Sequence, residues 1–336
     1  MNKFKITIFC EMTKRDYPAE VSFELVSKSY EMVKNIENSE IQVIIVGKRI
    51  NYDKIIDDFS MQGADKVIVV NDDVFTDYSP SLYKKAIVEI LKQEKPDIVL
   101  FGATVMGREL APLVATELQT GLTADCTDLS ITDDKKLEAT RPTFGGKMNA
   151  VIMCRTFPQM ATVRPNVFKH SKEKILKDTA VDFNWIDVHS EKNNLSILEF
   201  IPFEQLNNKD LLKAKIVFAG GKGLKNKNNF AKLYELAKLT GGSTGASRGA
   251  VDAGFAPPEI QIGQTGQSVS SHIYIAFGIS GMAQHLAGIN SCDTIIAVNN
   301  DENAPIFQHA DIGIIGNAVE IIDKMVEKLK NKSLEI

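Results

Sequence analysis

The stretch Gln261–Asp311, QIGQTGQSVSSHIYIAFGISGMAQHLAGINSCDTIIAVNNDENAPIFQHAD, decides the fold. Within it, Ile273–Phe277 and Thr294–Val298 are short runs rich in β-branched and apolar residues, bounded by Gly, Ser, Asn or Asp. Such runs predict two buried strands, each ending in a polar turn. Between them, Gly278-Ile279-Ser280-Gly281 predicts a sharp turn into a short helix over Met282–Ala287, which carries Gln284 and His285. Glycine permits the turn and the close approach of a bound group, while the first N–H groups of a helix are donors that suit an anion. The arrangement suits an extended anionic cofactor. The plainer alternative is that these glycines only make turns and that His285 is a satisfied, partly buried side chain.

At 336 residues the chain is long enough for about two domains with separate cores. Its 44% hydrophobic and 24% charged residues are ordinary for a folded soluble protein. A net charge of −4 argues against a general nucleic-acid or anionic-membrane surface. Cys10, Cys126, Cys154 and Cys292 are far apart and form no CxxC, zinc or iron–sulfur spacing. Isolated thiols fit a reducing cytosol. The apolar run Ile6–Cys10 is too short for a signal peptide, and no run reaches the about 18–20 apolar residues that span a bilayer. A cytoplasmic protein without membrane insertion is expected.

The first 200 residues alternate strands and helices: Ile6–Cys10, a helix over Val21–Ile36, Val43–Val46, a helix over Tyr52–Met61, Lys66–Val70, a helix over Ser81–Glu94, then Asp97–Phe101. This alternation predicts a parallel sheet covered by helices on both faces. After Phe101, the segment Gly102–Pro112 turns into a helix ending near Leu118, at the strand ends where doubly wound sheets gather ligands or partners. Arg108 there either meets an acidic group of a ligand or partner or makes a structural salt bridge. From Cys126 to Val163 the segments Leu129–Ile131, Leu137–Thr140, Ala150–Cys154 and Met160–Val163 are shorter, which predicts hairpins or mixed strands decorating the sheet. The polar stretch Asp182–Asn208 reads as a linker, across which the second domain could swing.

A second α/β unit starts at Lys215–Ala219, continues through Gly220–Lys225 and enters a helix over Asn228–Leu239. Phe230, Leu233, Tyr234 and Ala237 share one face of that helix. Strand, glycines and helix in this order can cradle a phosphate, but the last glycine of a GxGxxG fingerprint is replaced by Asn226, and no GxxxxGK[ST] occurs. Gly245–Phe255 and Ile262–Gly266 are turn-rich loops of small and hydroxyl residues with one guanidinium. Such loops either pack against a flat ring and bond its carbonyl edge, or are plain surface loops. The chain closes on a helix from Ala318 to about Lys330, with Val319, Ile322, Met325, Val326 and Leu329 as its apolar face.

Taken together, Gly220–Lys225, Ala246–Phe255, Gln264–Gly266, Gly278–Gly281 with Gln284 and His285, and Ala297–Phe307 resemble the C-terminal domain of electron transfer flavoprotein alpha subunits. Phe101–Pro112, Thr120–Thr127 (TGLTADCT) and Arg141–Gly146 match the first domain of that family. The resemblance implies two doubly wound α/β domains: 1–205 with extra strands and a contact to the beta subunit, and 206–336 holding FAD. Carried over by position, the FAD-binding residues are Lys222, Ser247, Arg248, Ile262, Gly263, Gln264, Thr265, Ser280, Gly281, Met282, Ala283, Gln284, His285, Asn299 and Asn317. Arg248 and His285 would then sit at the N5 and N1/O2 edges of the flavin and stabilise negative charge on the reduced ring. The family commonly has Arg at Lys222, often Asp at Asn317 and usually Pro at Ser271; Lys keeps the charge but loses the planar fork.

Family members either carry single electrons from acyl-CoA dehydrogenases to a quinone-reducing partner, or take hydride from NADH and bifurcate it with a second FAD in the beta subunit. The wording FGATVMGRELAP, TGLTADCT and RPTFGG is similar to the anaerobic, dehydrogenase-associated members, in which bifurcation is common. A ferredoxin would be a separate protein, because the chain starts on a strand and lacks cluster cysteines. Two other classes compete. A self-contained NAD-dependent enzyme would need a base or nucleophile at the cofactor, and no Ser/His/Asp or Cys/His arrangement is found. A nucleotide-binding sensor without redox chemistry would bind AMP or ATP better than FAD.

Overall fold

The computed structural model describes residues 3–13, 17–48, 52–143, 148–168, 175, 177–184, 186–188 and 211–332. The chain divides into two compact units, Met1–Pro142 with Asn149–Ile201, and Thr143–Met148 with Pro202–Ile336. Each is α/β and built on a parallel sheet.

In the first unit, β1 (Phe4–Cys10), α1 (Glu20–Val33), β2 (Ser39–Gly47), α2 (Tyr52–Met61), β3 (Lys66–Asn71), α3 (Pro80–Glu94), β4 (Ile98–Gly102) and α4 (Val105–Glu117) follow the expected alternation. Five further strands come next, β5 (Leu122–Cys126), β6 (Asp128–Ile131), β7 (Leu137–Thr143), β8 (Met148–Ile152) and β9 (Gln159–Val163), and then β10 (Ala180–Asn184). The main sheet has the order β10-β3-β2-β1-β4-β9-β5, with each neighbouring pair parallel.

Successive side chains of a strand point to opposite faces, so the sheet needs two covers. Ile6, Ile8, Val43, Ile45 and Leu100 pack with Leu25 and Val26 of α1 and Phe59 of α2. Phe9, Ile44, Val46, Val99 and Phe101 pack with Ile87 and Ile90 of α3 and Leu110 and Val114 of α4. Thr104 starts α4, its hydroxyl accepting from the Gly107 N–H at 3.0 Å. Arg108 is exposed, and its Nε donates to the Thr104 carbonyl at 3.2 Å.

Two segments depart from the sequence reading. Met160–Val163 does not decorate the sheet; it lies in β9, fully buried and parallel between β4 and β5. Only β6, β7 and β8 form the separate small sheet, with β6 and β7 antiparallel. Asp182 does not begin a linker either, because β10 pairs with β3 from Ala180 opposite Lys66 to Asn184 opposite Val70. This edge strand is largely exposed, and the alternation of Val181 and Phe183 with Asp182 and Asn184 is too short to set it apart from the polar stretch that follows. Ile186 and Val188 beyond it are buried in the core that α3 and α4 cover. Residues 189–208 of the expected linker and Phe144–Gly146 of the RPTFGG motif lie outside the described residues.

The second unit runs β11 (Ile216–Gly220), α5 (Lys227–Thr240), β12 (Ser243–Ala246), α6 (Arg248–Asp252), β13 (Ile273–Phe277), α7 (Ala283–Leu286), β14 (Thr294–Asn299), β15 (Ile312–Ile315) and α8 (Ala318–Lys332). Its five strands are parallel in the order β12-β11-β13-β14-β15. The chain moves outward from β11 to β12 and then returns across β11 to β13. The crevice of such a sheet therefore opens at the carboxyl ends of β11 and β13. Phe230 and Leu233 of α5, Ile322 and Val326 of α8, and Phe218, Tyr274 and Phe277 of the strands share one core. β12 is a strand that the sequence reading takes for part of a loop; all four of its small residues are buried, and its ladder is made with β11.

Candidate functional site

At the crevice, the loops after β11 and β13 interlock through glycine. A Cβ on Gly221 would lie 2.1 Å from the Gly278 carbonyl oxygen, and one on Gly223 would lie 2.8 Å from the same atom. The Gly221 N–H donates to the Phe277 carbonyl at 2.9 Å and the Gly223 N–H to the Gly278 carbonyl at 3.1 Å. Gly278 has φ +62°, a conformation costly for any other residue. Lys222 is exposed at the start of the short 3₁₀ turn Lys222–Leu224. Asn226 stands where a dinucleotide fingerprint needs glycine because it caps α5, its side chain accepting from the Asn229 N–H at 2.9 Å.

Beside this, the chain leaves β12 through Ser247, whose N–H donates to the Gly220 carbonyl at 2.9 Å. The Ser247 hydroxyl caps α6 by accepting from the Ala250 N–H at 3.3 Å. Arg248 follows with a side chain 70% exposed, meeting Asp252 at 3.4 Å. The second loop, Ile262–Thr265, docks between these elements. The Ile262 N–H donates to the Ala246 carbonyl at 2.8 Å, and the Gln264 N–H to the Gln284 carbonyl at 2.7 Å. Gly263 has φ +139°, and a Cβ there would lie 2.7 Å from the Gln284 carbonyl oxygen, so only glycine brings the loop this close to α7. Gln264 and Thr265 are exposed, and the Thr265 hydroxyl accepts from the Gln261 amide at 3.0 Å.

After β13, Ser280 is exposed while its carbonyl accepts from the Ile306 N–H at 3.0 Å. Gly281 has φ +85° and packs directly against Ile306. Met282, Ala283 and Gln284 are exposed in the first turn of α7, where backbone N–H groups have no acceptor within the helix. Asn299 ends β14 as a buried staple: its amide donates to the Ile279 carbonyl at 2.9 Å and its oxygen accepts from the Asp301 N–H at 3.1 Å. Asn317 begins α8, accepting from the Val319 N–H at 3.1 Å and donating to Glu320 at 2.8 Å.

His285 is held from two sides. It is buried, with Nδ1 3.1 Å from the Ile262 carbonyl oxygen and Nε2 2.8 Å from the Tyr274 hydroxyl. A carbonyl only accepts, so Nδ1 carries the proton and neutral His285 accepts the Tyr274 O–H at Nε2. Burial, partly opposed by the Ile262 bond, lowers its pKa from 6.5 to about 4. In this arrangement the ring ties β13 to the loop that begins at Ile262. Tyr274 went unread in the sequence because it sits in an apolar strand pattern, and the glycine clasp because its partners are 57 residues apart, from 221 to 278.

The fifteen candidate residues thus gather on one side, at or beyond the carboxyl ends of β11 to β15. Lys222, Arg248, Gln264, Thr265, Ser280 and Gln284 are exposed, whereas Ile262, His285 and Asn299 hold the loops from inside. Two cations, hydroxyls, amides and a first-turn set of N–H groups suit a diphosphate joined to a ring with a carbonyl edge, so the donor set fits FAD. Among the described residues no group of three or more His, Cys, Asp or Glu could hold a metal ion.

Comparisons with known proteins agree with this geometry. The electron transfer flavoprotein domain model matches residues 6–185, and the electron transfer flavoprotein FAD-binding domain model matches residues 210–290. The chain is 39% identical to the electron transfer flavoprotein subunit alpha of Thermoanaerobacterium thermosaccharolyticum over 98% of this chain and 99% of that one. It is 40% identical to the corresponding subunit of Megasphaera elsdenii over 93% of each chain, and 38% identical to Protein FixB of Clostridium saccharobutylicum over 97% and 96%. With both units matched in order and nearly full-length relatives, the chain belongs to the electron transfer flavoprotein alpha subunit and FixB family, and FAD is its cofactor.

Proposed function

We propose that this chain pairs with an electron transfer flavoprotein beta subunit and passes electrons between a flavin dehydrogenase of the acyl-CoA dehydrogenase type and a second redox partner. In this reading residues 206–336 hold FAD and residues 1–205 dock the beta subunit. The observation that carries it is the exposed donor set around the β11/β13 crevice, with Arg248 free to meet a ligand. The flavin supplies reversible acceptance of electrons.

The residues of the chain then bind and orient it. Lys222 and the first turn of α7 neutralise the diphosphate, as a mobile ammonium and a set of backbone N–H groups do. The Gln264 and Thr265 side chains and the Ser247 turn face the ring edge, with Arg248 placed to favour negative charge there. Asn299 keeps the Ile279 turn at the end of β14 and so fixes the mouth of the site.

The similarity of FGATVMGRELAP and TGLTADCT to anaerobic, dehydrogenase-associated members supports NADH-driven bifurcation, with NADH and a second FAD in the beta subunit and ferredoxin as a separate acceptor. Four free thiols, two of them fully buried, suit a cytoplasmic protein. The test is a visible spectrum of the chain co-expressed with its beta subunit, with flavin counted per heterodimer and titrated with NADH. Two FAD reduced by NADH support bifurcation. One FAD, with no response to NADH, supports a simple carrier, and a colourless protein that prefers AMP overturns the flavin reading.

A further inference from the structure

The first unit has a crevice of its own, and it is filled differently from that of the second. The chain runs outward from β1 through β2 to β3, then returns through α3 to β4 on the other side of β1, so the strand order reverses between β1 and β4. In a doubly wound sheet a nucleotide phosphate meets a helix N-terminus at that place. In the second unit the turn after β11 carries Gly220, Gly221 and Gly223, and the first turn of α5 has no acidic residue. In the first unit no glycine lies between Cys10 and Glu20, and Glu20 stands in the first turn of α1. Glu11 directly follows β1, and its carboxylate accepts the Thr104 hydroxyl proton at the start of α4. The backbone of Glu11 is fixed, its N–H donating to the Ser22 hydroxyl at 3.2 Å and its carbonyl accepting from the Ala19 N–H at 2.8 Å. Burial, with the Glu109 and Glu11 carboxylates nearby, raises the pKa of the Tyr78 hydroxyl, so two carboxylates stand near one side chain at this crevice.

We propose that Glu11 closes the first unit to nucleotides: its carboxylate takes the place at the start of α4 that a phosphate would take, and the chain therefore holds a single nucleotide cofactor, in its second unit. The positive end of α4 favours one anion, and a carboxylate tethered to β1 supplies it without the loss of translational freedom that a free ligand suffers. The Thr104 hydroxyl has one proton, which goes to Glu11, while its oxygen accepts from the Gly107 N–H at 3.0 Å, so it has no donor left for a phosphate. A second anion would also meet Glu11 and Glu109 at close range. Arg108, the cation of the same turn, is exposed and donates to the Thr104 carbonyl at 3.2 Å. The inference goes beyond the proposed electron transfer, and only the count of one nucleotide rests on FAD occupying the second unit.

The test uses the protein co-expressed with its beta subunit and measures inorganic phosphate by equilibrium dialysis in wild type, Glu11→Ala, and Glu11→Ala combined with Thr104→Val. Wild type sets the phosphate bound elsewhere in the heterodimer. Glu11→Ala should bind one further phosphate with a millimolar dissociation constant, and adding Thr104→Val should weaken that binding roughly tenfold by removing the hydroxyl donor. A Glu11→Ala protein with wild-type flavin content and no added phosphate, or a gain indifferent to Thr104→Val, overturns the inference. A second measurement needs no variant: irradiating wild type with an azido-AMP photolabel and mapping the peptides should leave Gly102–Arg108 unlabelled, and label in that segment overturns the inference. Absence of FAD from the wild-type complex, read by visible absorbance, would sink the flavin reading alone, because the phosphate gain in Glu11→Ala would still support closure by Glu11.

Discussion

Gly221 and Gly278 meet backbone to backbone where β11 and β13 end, with room for no Cβ on Gly221, since it would stand 2.1 Å from the Gly278 carbonyl oxygen. The contact sets the width of the crevice in which the FAD site is built. Gly221→Ala should therefore destabilise the unit by about 1–3 kcal/mol, the usual cost of overpacking, and lower its flavin content. Urea unfolding and flavin absorbance on the same preparation check both. Unchanged stability and full flavin would show that the loops can part without consequence.

Arg248 has the opposite character. Its side chain is 70% exposed and pairs with Asp252 at 3.4 Å. Arg248→Ala should leave unfolding within about 0.5 kcal/mol of wild type while weakening FAD by tenfold or more, roughly the loss of one charged hydrogen bond. Arg248→Lys should recover part of the affinity, since it restores charge without the fork. Equal FAD affinity in all three proteins would remove Arg248 from the site.

His285 makes stability depend on pH in a defined window. Burial lowers its pKa from 6.5 to about 4, so between those values the unfolded chain takes up a proton that the folded chain refuses. The contribution is whole above pH 6.5 and falls as pH drops toward 4, by up to about 1.4 kcal/mol per unit. Denaturant melts from pH 7 to 4 should show a shallower slope for His285→Asn than for wild type. Parallel slopes would mean that His285 titrates freely in the folded protein.

Glu94 acts in a lower window, at the far end of the first sheet. Burial pushes its pKa up, but bonds from Lys66 at 2.8 Å, Lys5 at 2.9 Å and Gln42 at 2.7 Å outweigh it and bring the pKa from 4.5 to about 2. Its stabilisation is present above pH 4.5 and is lost as pH falls through 2. Glu94→Gln should cost about 1–2 kcal/mol at pH 7 and flatten the acid limb of the stability curve. A variant that melts like wild type at both pH 7 and pH 3 would show the network to be idle.

The main strands of both units were legible because fully buried parallel strands are continuous apolar runs, as Val43–Val46 and Ile273–Phe277 are. Strands without that signature were not. Ser243–Ala246 is buried but made of small residues, and Ala180–Asn184 is an exposed edge, so each is a strand only because a neighbour offers hydrogen bonds. The place of Met160–Val163 was lost for a related reason. Its sequence shows a strand, but nothing local says that it inserts between β4 and β5.

By itself the sequence determined the alternation of strands and helices and the glycines at the ends of β11 and β13, which are local properties of composition and spacing; the set of cations, hydroxyls and amides for FAD came from the resemblance of its motifs to the family. Tertiary structure alone decided which of the set face outward and which brace the site. The resemblance assigns Arg248 and His285 alike to the edges of a reduced ring. Packing separates them: Arg248 ends in solvent, whereas Tyr274 and Ile262 take both nitrogens of His285, because a buried polar group must spend its bonds on the groups around it.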